Sequence, residues 1–206
     1  MNATAAATTL PPAASPRARL RAAGTLALLG ASLGTAFDYA HVRTGAIEYP
    51  VASVLGVPLW VPGLYASSAL AIGLSHPLLD RSLGRAERVP LTPFRVAFGL
   101  VALCGIWFAT GALPFDSLTT TLLLSPVSLA VVYAFDRTWV GVLLAIATAV
   151  TAVGVEILLS HLGLFRHTHG DVLGVALWLP CIYVAASVAV GNTGRWLLAP
   201  TRIATN

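Results

Sequence analysis

The sequence predicts an all-α fold, a six-helix transmembrane bundle with both termini in the cytoplasm. Three observations predict it. Of 206 residues, 57% are hydrophobic and only 10% are charged, which leaves too few polar side chains to cover a soluble globule of this size. The apolar residues form six stretches near the length that spans a bilayer. The arginines collect at one side of these stretches. A soluble globular domain is thereby excluded.

The N-terminal residues are predicted to precede the bundle. Residues 1–20 are rich in Ala, Thr and Pro and lack apolar periodicity, so they are predicted to be a disordered tail. The six-helix domain is predicted to span 21–196, followed by a short C-terminal tail, 197–206. The first apolar stretch, 22–37, could instead be a cleaved signal peptide. It lacks a convincing small-x-small cleavage site and is interpreted as a true span.

Five further stretches complete the predicted bundle. They are separated by charged boundaries and lie at 49–79, 96–115, 117–135, 138–165 and 172–194. The second and the sixth share the pattern Leu-Trp-x-Pro-x-x-Tyr, 118 positions apart, around Trp60 and Trp178. Proline suits the first turn of a helix, and the preceding tryptophan can anchor at the lipid headgroups.

The distribution of arginine predicts the orientation. All twelve basic residues are arginine, and with the N-terminus inside, ten of them flank inner helix ends. This bias follows the positive-inside rule and predicts cytoplasmic termini. The outer loops then hold only Arg43 and Arg166, against the inner Arg17, Arg19, Arg21, Arg81, Arg85, Arg88, Arg95, Arg137, Arg195 and Arg202.

Small residues predict how the helices pack. The fifth span, 138–165, carries small residues at Gly141, Ala145, Ala149 and Ala152, together with two threonines, so we expect it at the centre of the bundle. Gly30 and Gly34 form a small-xxx-small pair in the first span. Such pairs let backbones approach closely, and this one permits contacts between protomers. We therefore expect a homo-oligomer.

Glu156 is the main candidate functional residue because it is a carboxylate inside an apolar span. An acid at this depth is a functional hypothesis by default. The alternative is that Glu156 reaches the interface or pairs with Ser160 or His161. A bundle with few ionisable groups suits an apolar ligand with one polar head. The predicted lipid site comprises Glu156, Thr148, Thr151, Trp178 and Tyr183.

Other polar residues carry no predicted chemistry. His167, His169 and Asp171 could ligate zinc or nickel, but no fourth ligand is fixed by spacing, and no metal or other cofactor is predicted. His76 is interpreted as a hydrogen-bonded structural histidine. The sequence contains no catalytic triad pattern, phosphate loop, paired-cysteine motif or HExxH. We predict neither an enzyme nor a nucleic-acid-binding protein.

Three segments in order resemble the Insig (insulin-induced gene) family: LWVPGLYASSALAIGLSHPLLDRSLG, YAFDRTWVG and HTHGDVLGVALWLPCIYVAASVAVGNTGR. The resemblance covers about two thirds of the chain. It implies six helices in the endoplasmic reticulum, with a sterol bound among them. It also implies docking to the sterol-sensing domains of Scap and HMG-CoA reductase. Asp136 matches an acid needed to hold that partner, and Asp80 lies in a similar Asp-Arg pair. The arginine-only, alanine-rich composition indicates a bacterial homologue.

We therefore predict an integral membrane lipid-binding or sensor protein. Its ligand would be a sterol or a neutral diacyl lipid such as diacylglycerol, and a membrane protein with a sterol-sensing-like domain is a possible partner. The alternative is a small transporter with Glu156 as the coupling carboxylate. A third hypothesis is a scaffold acting through Asp136 and Asp80. The compartment would be the plasma membrane in a bacterium and the endoplasmic reticulum in a eukaryote.

Overall fold

The computed structural model describes residues 14–51, 54–83 and 89–199 and confirms the predicted all-α bundle. The first helical rod is continuous over Pro16–Thr44 and contains a π-helical segment. With the five helices that follow, the described chain has six rods. The elements are α1 Pro16–Leu29, the π-helical segment Gly30–Gly34, α2 Thr35–Thr44, β1 Ile47–Glu48, α3 Val61–Ser82, α4 Pro93–Ala112, α5 Ser117–Phe135, α6 Trp139–His161, β2 Arg166–His167 and α7 Leu179–Leu198.

Several helix ends differ from the predicted boundaries. α1 begins at Pro16, because the Ser15 hydroxyl accepts the Ala18 N–H and caps it. Residues 16–20, which the sequence assigns to the tail, are therefore helical. Residues 197 and 198 end α7 rather than starting a tail. α3 begins only at Val61, because the chain before it forms a strand and a tight turn. Residues 1–13 and 200–206 lie outside the described part.

α7 lies at the centre of the bundle. It packs against α1, α3, α4, α5 and α6, and 14 of its 20 residues are buried. The prediction that the fifth span would be central is wrong, because α6 buries only four of its 23 residues and leaves the others partly or fully exposed. The small side chains of α6 serve one face, which packs on α7.

Four rods of the described chain are long and apolar enough to cross a membrane: Pro16–Thr44, α4, α5 and α6. α3 and α7, at 22 and 20 residues, are not among them. The central position of α7 explains why this helix is not among the apolar rods. A helix enclosed by protein does not need a lipid-soluble surface, so α7 can carry Asn192, Thr193 and Arg195 inside the bundle.

Two parts of the chain have the same architecture. The first unit consists of the Pro16–Thr44 rod, β1 and α3, and the second consists of α6, β2 and α7. In each, a Val-Leu-Gly-Val turn precedes the last helix, at residues 54–57 and 172–175. Leu55 and Gly56 have φ of 54° and 84°, and Leu173 and Gly174 have 51° and 84°. The shared Trp-Pro pattern is therefore part of a longer repeat with one backbone conformation.

The two units contact each other reciprocally, as they would about a twofold axis. β1 and β2 pair antiparallel, with Ile47 opposite His167. α3 and α7 cross so closely that only glycine fits at two positions of α7. A side chain on Gly194 would overlap the backbone of Gly73, and one on Gly191 would overlap the His76 ring. Position 73 corresponds to 191 and position 76 to 194 at the same spacing of 118 residues. The axis therefore passes between α3 and α7.

Gly30 and Gly34 make contacts inside the protomer. A side chain at either position would overlap Tyr65 of α3. The expectation that this pair mediates contacts between protomers is not met, since α3 already covers it. Their role is to bring the first rod against α3, where the helix takes its π-helical form.

Candidate lipid cavity and its polar end

A cavity of about 620 Å³ lies between the two units. Its walls come from the first rod, α3, α6 and α7, and most of the lining side chains are apolar. α4 adds Leu100, Leu103 and Trp107, whereas α5 contributes none of the lining residues. The volume is within the range of small-molecule sites, which extends over roughly 300–1,000 Å³.

The lining follows the repeat. Seven positions of the first rod line the cavity, and the seven positions 118 residues later on α6 line it as well. The axis that relates the units therefore passes through the cavity, and α4 breaks the symmetry by covering one side. The corresponding pairs are Leu29 and Ala147, Gly30 and Thr148, Leu33 and Thr151, Gly34 and Ala152, Phe37 and Val155, Asp38 and Glu156, His41 and Leu159.

Asp38 is the acid of the first unit and is buried in the wall. Its Oδ2 accepts the Tyr49 hydroxyl at 2.5 Å, and its Oδ1 accepts the Tyr65 hydroxyl at 2.6 Å. Burial, with the Asp38 carboxylate beside it, raises the pKa of the Tyr49 hydroxyl well above its ordinary value. Tyr49 therefore stays protonated and donates. We call these three residues the Asp38 triad.

Glu156 is the acid of the second unit. Its Oε2 lies 2.8 Å from Nε2 of His167, and its Oε1 accepts the hydroxyl of Tyr183. Both partners stand 118 positions after those of Asp38, with His167 in place of Tyr49 and Tyr183 in place of Tyr65. Glu156 and Tyr183 line the cavity. We call these three residues the Glu156 triad.

The structure brings all five residues of the predicted lipid site to the cavity: Glu156, Thr148, Thr151, Trp178 and Tyr183. The alternative prediction that Glu156 pairs with Ser160 or His161 is wrong. Ser160 donates instead to the Gly174 carbonyl, and His161 Nδ1 bonds the Ile157 carbonyl. Trp178 is 4% exposed, so it packs inside the protein rather than anchoring at the headgroups.

The strand pair closes the end of the cavity at which the triads lie. Thr168 donates from its backbone N–H to the Ala46 carbonyl at 3.0 Å and from its hydroxyl to Gly45. Tyr49 contacts the rings of Trp60 and Phe165, with centroids 5.9 and 6.1 Å apart. These contacts join the two units and hold Tyr49 and His167 over their carboxylates.

Sequence reasoning missed the Asp38 triad and the α4 wall. One signal was available, because Asp38 precedes Glu156 by the same 118 residues that separate the Trp-Pro patterns. The α4 contribution had no such signal. Trp107 stacks on Phe37 at 4.7 Å, and its carbonyl lies 3.1 Å from Nε2 of His41.

The carboxylates of Asp136 and Asp80 both bind Arg195, at the end of the bundle opposite the two triads. Arg195 binds Asp80 through two nitrogens, at 2.7 and 3.1 Å, and Asp136 through Nη1 at 2.7 Å. The same Nη1 donates to the Asn192 side chain at 2.8 Å. Asp136 is 0% exposed, so direct contact between its carboxylate and a partner does not fit this structure. Its internal ion pair accounts for an acid at a helix C-terminus.

Two further predictions concern histidines. His76 is fully buried and its Nε2 lies 3.1 Å from the Ser187 hydroxyl, which confirms a hydrogen-bonded structural role. Among the described residues, no group of three or more His, Cys, Asp or Glu side chains could hold a metal ion. His167 instead belongs to the Glu156 triad.

Comparison with known sequences gives consistent matches. The family described as insulin-induced protein (INSIG) matches residues 21–198. The insulin-induced gene 1 protein of Xenopus tropicalis is 28% identical over 185 residues, covering 88% of this chain and 74% of the frog protein. Its Bos taurus counterpart is 30% identical over 173 residues, covering 82% of this chain and 63% of the bovine protein.

Comparison with solved structures supports the same relationship. MvINS, a mycobacterial Insig homologue from Mycobacterium vanbaalenii, matches with a TM-score of 0.79 at 26% identity, over 88% of this chain and 97% of that one. A cross-linked trimer of MvINS matches with the same TM-score and identity, over 89% of this chain and 97% of that one.

Proposed function

The chain belongs to the insulin-induced protein (INSIG) family, and from that premise we propose that this integral membrane protein binds a lipid in the cavity between its two repeat units. The lipid is a sterol or a neutral diacyl lipid of the diacylglycerol type. One observation carries the proposal. A cavity of about 620 Å³, mostly apolar, ends at two hydrogen-bonded carboxylates, as a ligand with an apolar body and a small polar head requires.

The lateral wall supports entry from the membrane. α4 covers the side of the cavity between α2 and α7, with which it packs. The corresponding side, between α3 and α6, has few contacts across it. Exposed lining residues there include Ser67 and Ala71 on α3 and Ala147 and Thr151 on α6. Acyl chains would pass through this side into the cavity.

Lipid identification tests the proposal. The protein is purified in mild detergent, and its bound lipids are compared by mass spectrometry with those of the membrane from which it was extracted. We expect enrichment of one neutral lipid class, displaced by added diacylglycerol or oxysterol. Leu33→Trp, which fills the cavity from the first rod, should remove that enrichment, whereas Leu122→Trp on the exposed face of α5 should not. Phospholipids in membrane proportions would contradict the proposal.

Assembly and partners are further parts of the proposal. MvINS forms a trimer in cross-linked form, and we expect this chain to form a homo-oligomer. Arg195, Asp80 and Asp136 form one ion-paired cluster, which we call the Arg195 cluster. Any protein partner of the sterol-sensing type would bind a surface supported by this cluster rather than the Asp136 carboxylate itself. The alternative hypothesis, a small transporter with Glu156 as the coupling carboxylate, stays a prediction. Uptake into lipid vesicles that the Glu156→Gln variant loses would support it.

A further inference from the structure

The two triads are equivalent halves of one structure. Asp38 and Glu156 occupy corresponding positions on rods that line the same cavity. Each carboxylate oxygen accepts one hydrogen bond, from Tyr49 and Tyr65 in one half and from His167 and Tyr183 in the other. A carboxylate oxygen has about two acceptor positions. Each acid is thus oriented by its own unit and retains acceptor capacity.

α4 places one further polar group at this end. The Trp107 ring lies 5.8 Å from the ring of Tyr65 and 6.5 Å from that of Tyr183, and so lies between the triads. Its indole nitrogen is buried without a hydrogen-bond partner among the described residues. His167 Nδ1 is likewise buried without one. Both side chains line the cavity.

These groups select a ligand chemistry. The carboxylates accept hydrogen bonds, whereas the indole N–H can only donate. A hydroxyl group both donates and accepts, so it satisfies both kinds of partner. A phosphate or sulfate ester would bring negative charge beside the carboxylates of Asp38, which is buried, and of Glu156, whose side chain is 15% exposed. Like charges repel more strongly there than in water, because the apolar walls of the cavity weaken screening.

We infer that Asp38 and Glu156, each held by its triad, together form one head-group site on the pseudo-twofold axis, which binds a lipid through hydroxyl groups and rejects the phosphate or sulfate ester of that lipid. This inference rests on the proposed lipid-binding function. It adds that both acids contribute and that they exclude anionic head groups.

The test uses pairs of lipids that differ only in the anionic group. Purified protein in detergent is loaded with radiolabelled 1,2-dioleoylglycerol, and unlabelled dioleoylglycerol and dioleoylphosphatidic acid compete for release of the label. Cholesterol and cholesterol sulfate form the second pair. We expect the anionic member of the pair that binds to be at least tenfold weaker. Asp38→Asn and Glu156→Gln keep the side-chain shape, and each should reduce the preference by a similar factor.

Asp171→Asn is the matched control, because Asp171 is exposed and outside the cavity; it should leave the preference unchanged. Tyr65→Phe and Tyr183→Phe release one hydrogen bond each and should weaken binding of the neutral lipid to similar extents. Equal competition by neutral and anionic lipids, or an effect of Glu156→Gln without one of Asp38→Asn, would overturn the inference and leave the lipid-binding function standing. Failure of all four lipids to bind would overturn both.

Discussion

At the scale of single residues, the buried Asp136 carboxylate shows how position changes the meaning of a motif. The resemblance implies that this acid holds a partner. In the structure it accepts from Arg195 and from the Thr138 hydroxyl and has no exposed surface. A buried arginine between two carboxylates ties α3, the α5 end and α7 together. Loss of partner binding on mutating Asp136 would then be an indirect effect.

Asp136→Ala is predicted to destabilise the protein. It leaves Arg195 buried with one carboxylate fewer, and removing one member of a buried ion pair costs about 3–5 kcal/mol. Thermal unfolding in detergent, followed by tryptophan fluorescence, should show a clearly lower midpoint. Asp171→Ala, at an exposed position, should leave the midpoint unchanged. An Asp136→Ala midpoint equal to that of the wild type would show that the cluster is not a stabilising contact.

The contrast between Glu156 and Asp38 shows how far residues alone predict the site. Glu156 interrupts a long apolar stretch, so the sequence marks it as unusual. Asp38 directly follows the charge-free stretch 22–37, so the predicted first span ends before it. The helix in fact continues to Thr44, because the hydroxyls of Tyr49 and Tyr65 satisfy the carboxylate inside the protein. Those partners are 11 and 27 residues away, and no local pattern reports them.

At the scale of elements, the lengths of the apolar stretches predicted that the helices exist. They did not predict at which residues the helices start. α5 matches its predicted bounds, 117–135, since Asp116 caps it by accepting the Thr119 N–H at 2.9 Å. α3 starts 12 residues after its predicted start. Leu55 adopts a positive φ in the turn before α3. A leucine in the sequence gives no sign of that conformation, which is typical of glycine. A composition pattern cannot separate such an apolar turn from a helix.

The crossing of α3 and α7 gives a prediction at this scale. A methyl group on Gly194 would overlap the Gly73 backbone, so Gly194→Ala must push the two helices apart. Overpacking of this kind costs about 1–3 kcal/mol. Gly154→Ala on α6 meets no atom within 4 Å and serves as the control. Thermal unfolding should therefore show a lower midpoint for Gly194→Ala only. Equal midpoints for the two variants would mean that the crossing tolerates separation.

At the scale of the whole molecule, the repeat explains why the centre of the bundle was predicted wrongly. Small residues mark helices that pack closely, but α3, α6 and α7 all carry them. Which helix becomes central depends on α4 and α5, which join the second unit's α7 without any counterpart in the first unit. The sequence therefore predicted the six helical rods, but not the strand pair or the π-helical segment. The asymmetry added by α4 and α5, which also shapes the cavity, follows only from tertiary packing.

The orientation of the molecule in the membrane provides the last prediction. The ten-to-two arginine bias predicts that the termini and the end of α3 are cytoplasmic, and that the strand pair and the triads lie near the outer surface. Ser82→Cys and His169→Cys place a thiol at an exposed position of each side. An impermeant maleimide should label His169→Cys in intact expressing cells and Ser82→Cys only in inside-out vesicles. The wild type reports the background from Cys104 and Cys181, which lie within helices. Labelling of Ser82→Cys from outside would invert the bundle and place the polar end of the cavity at the cytoplasmic surface.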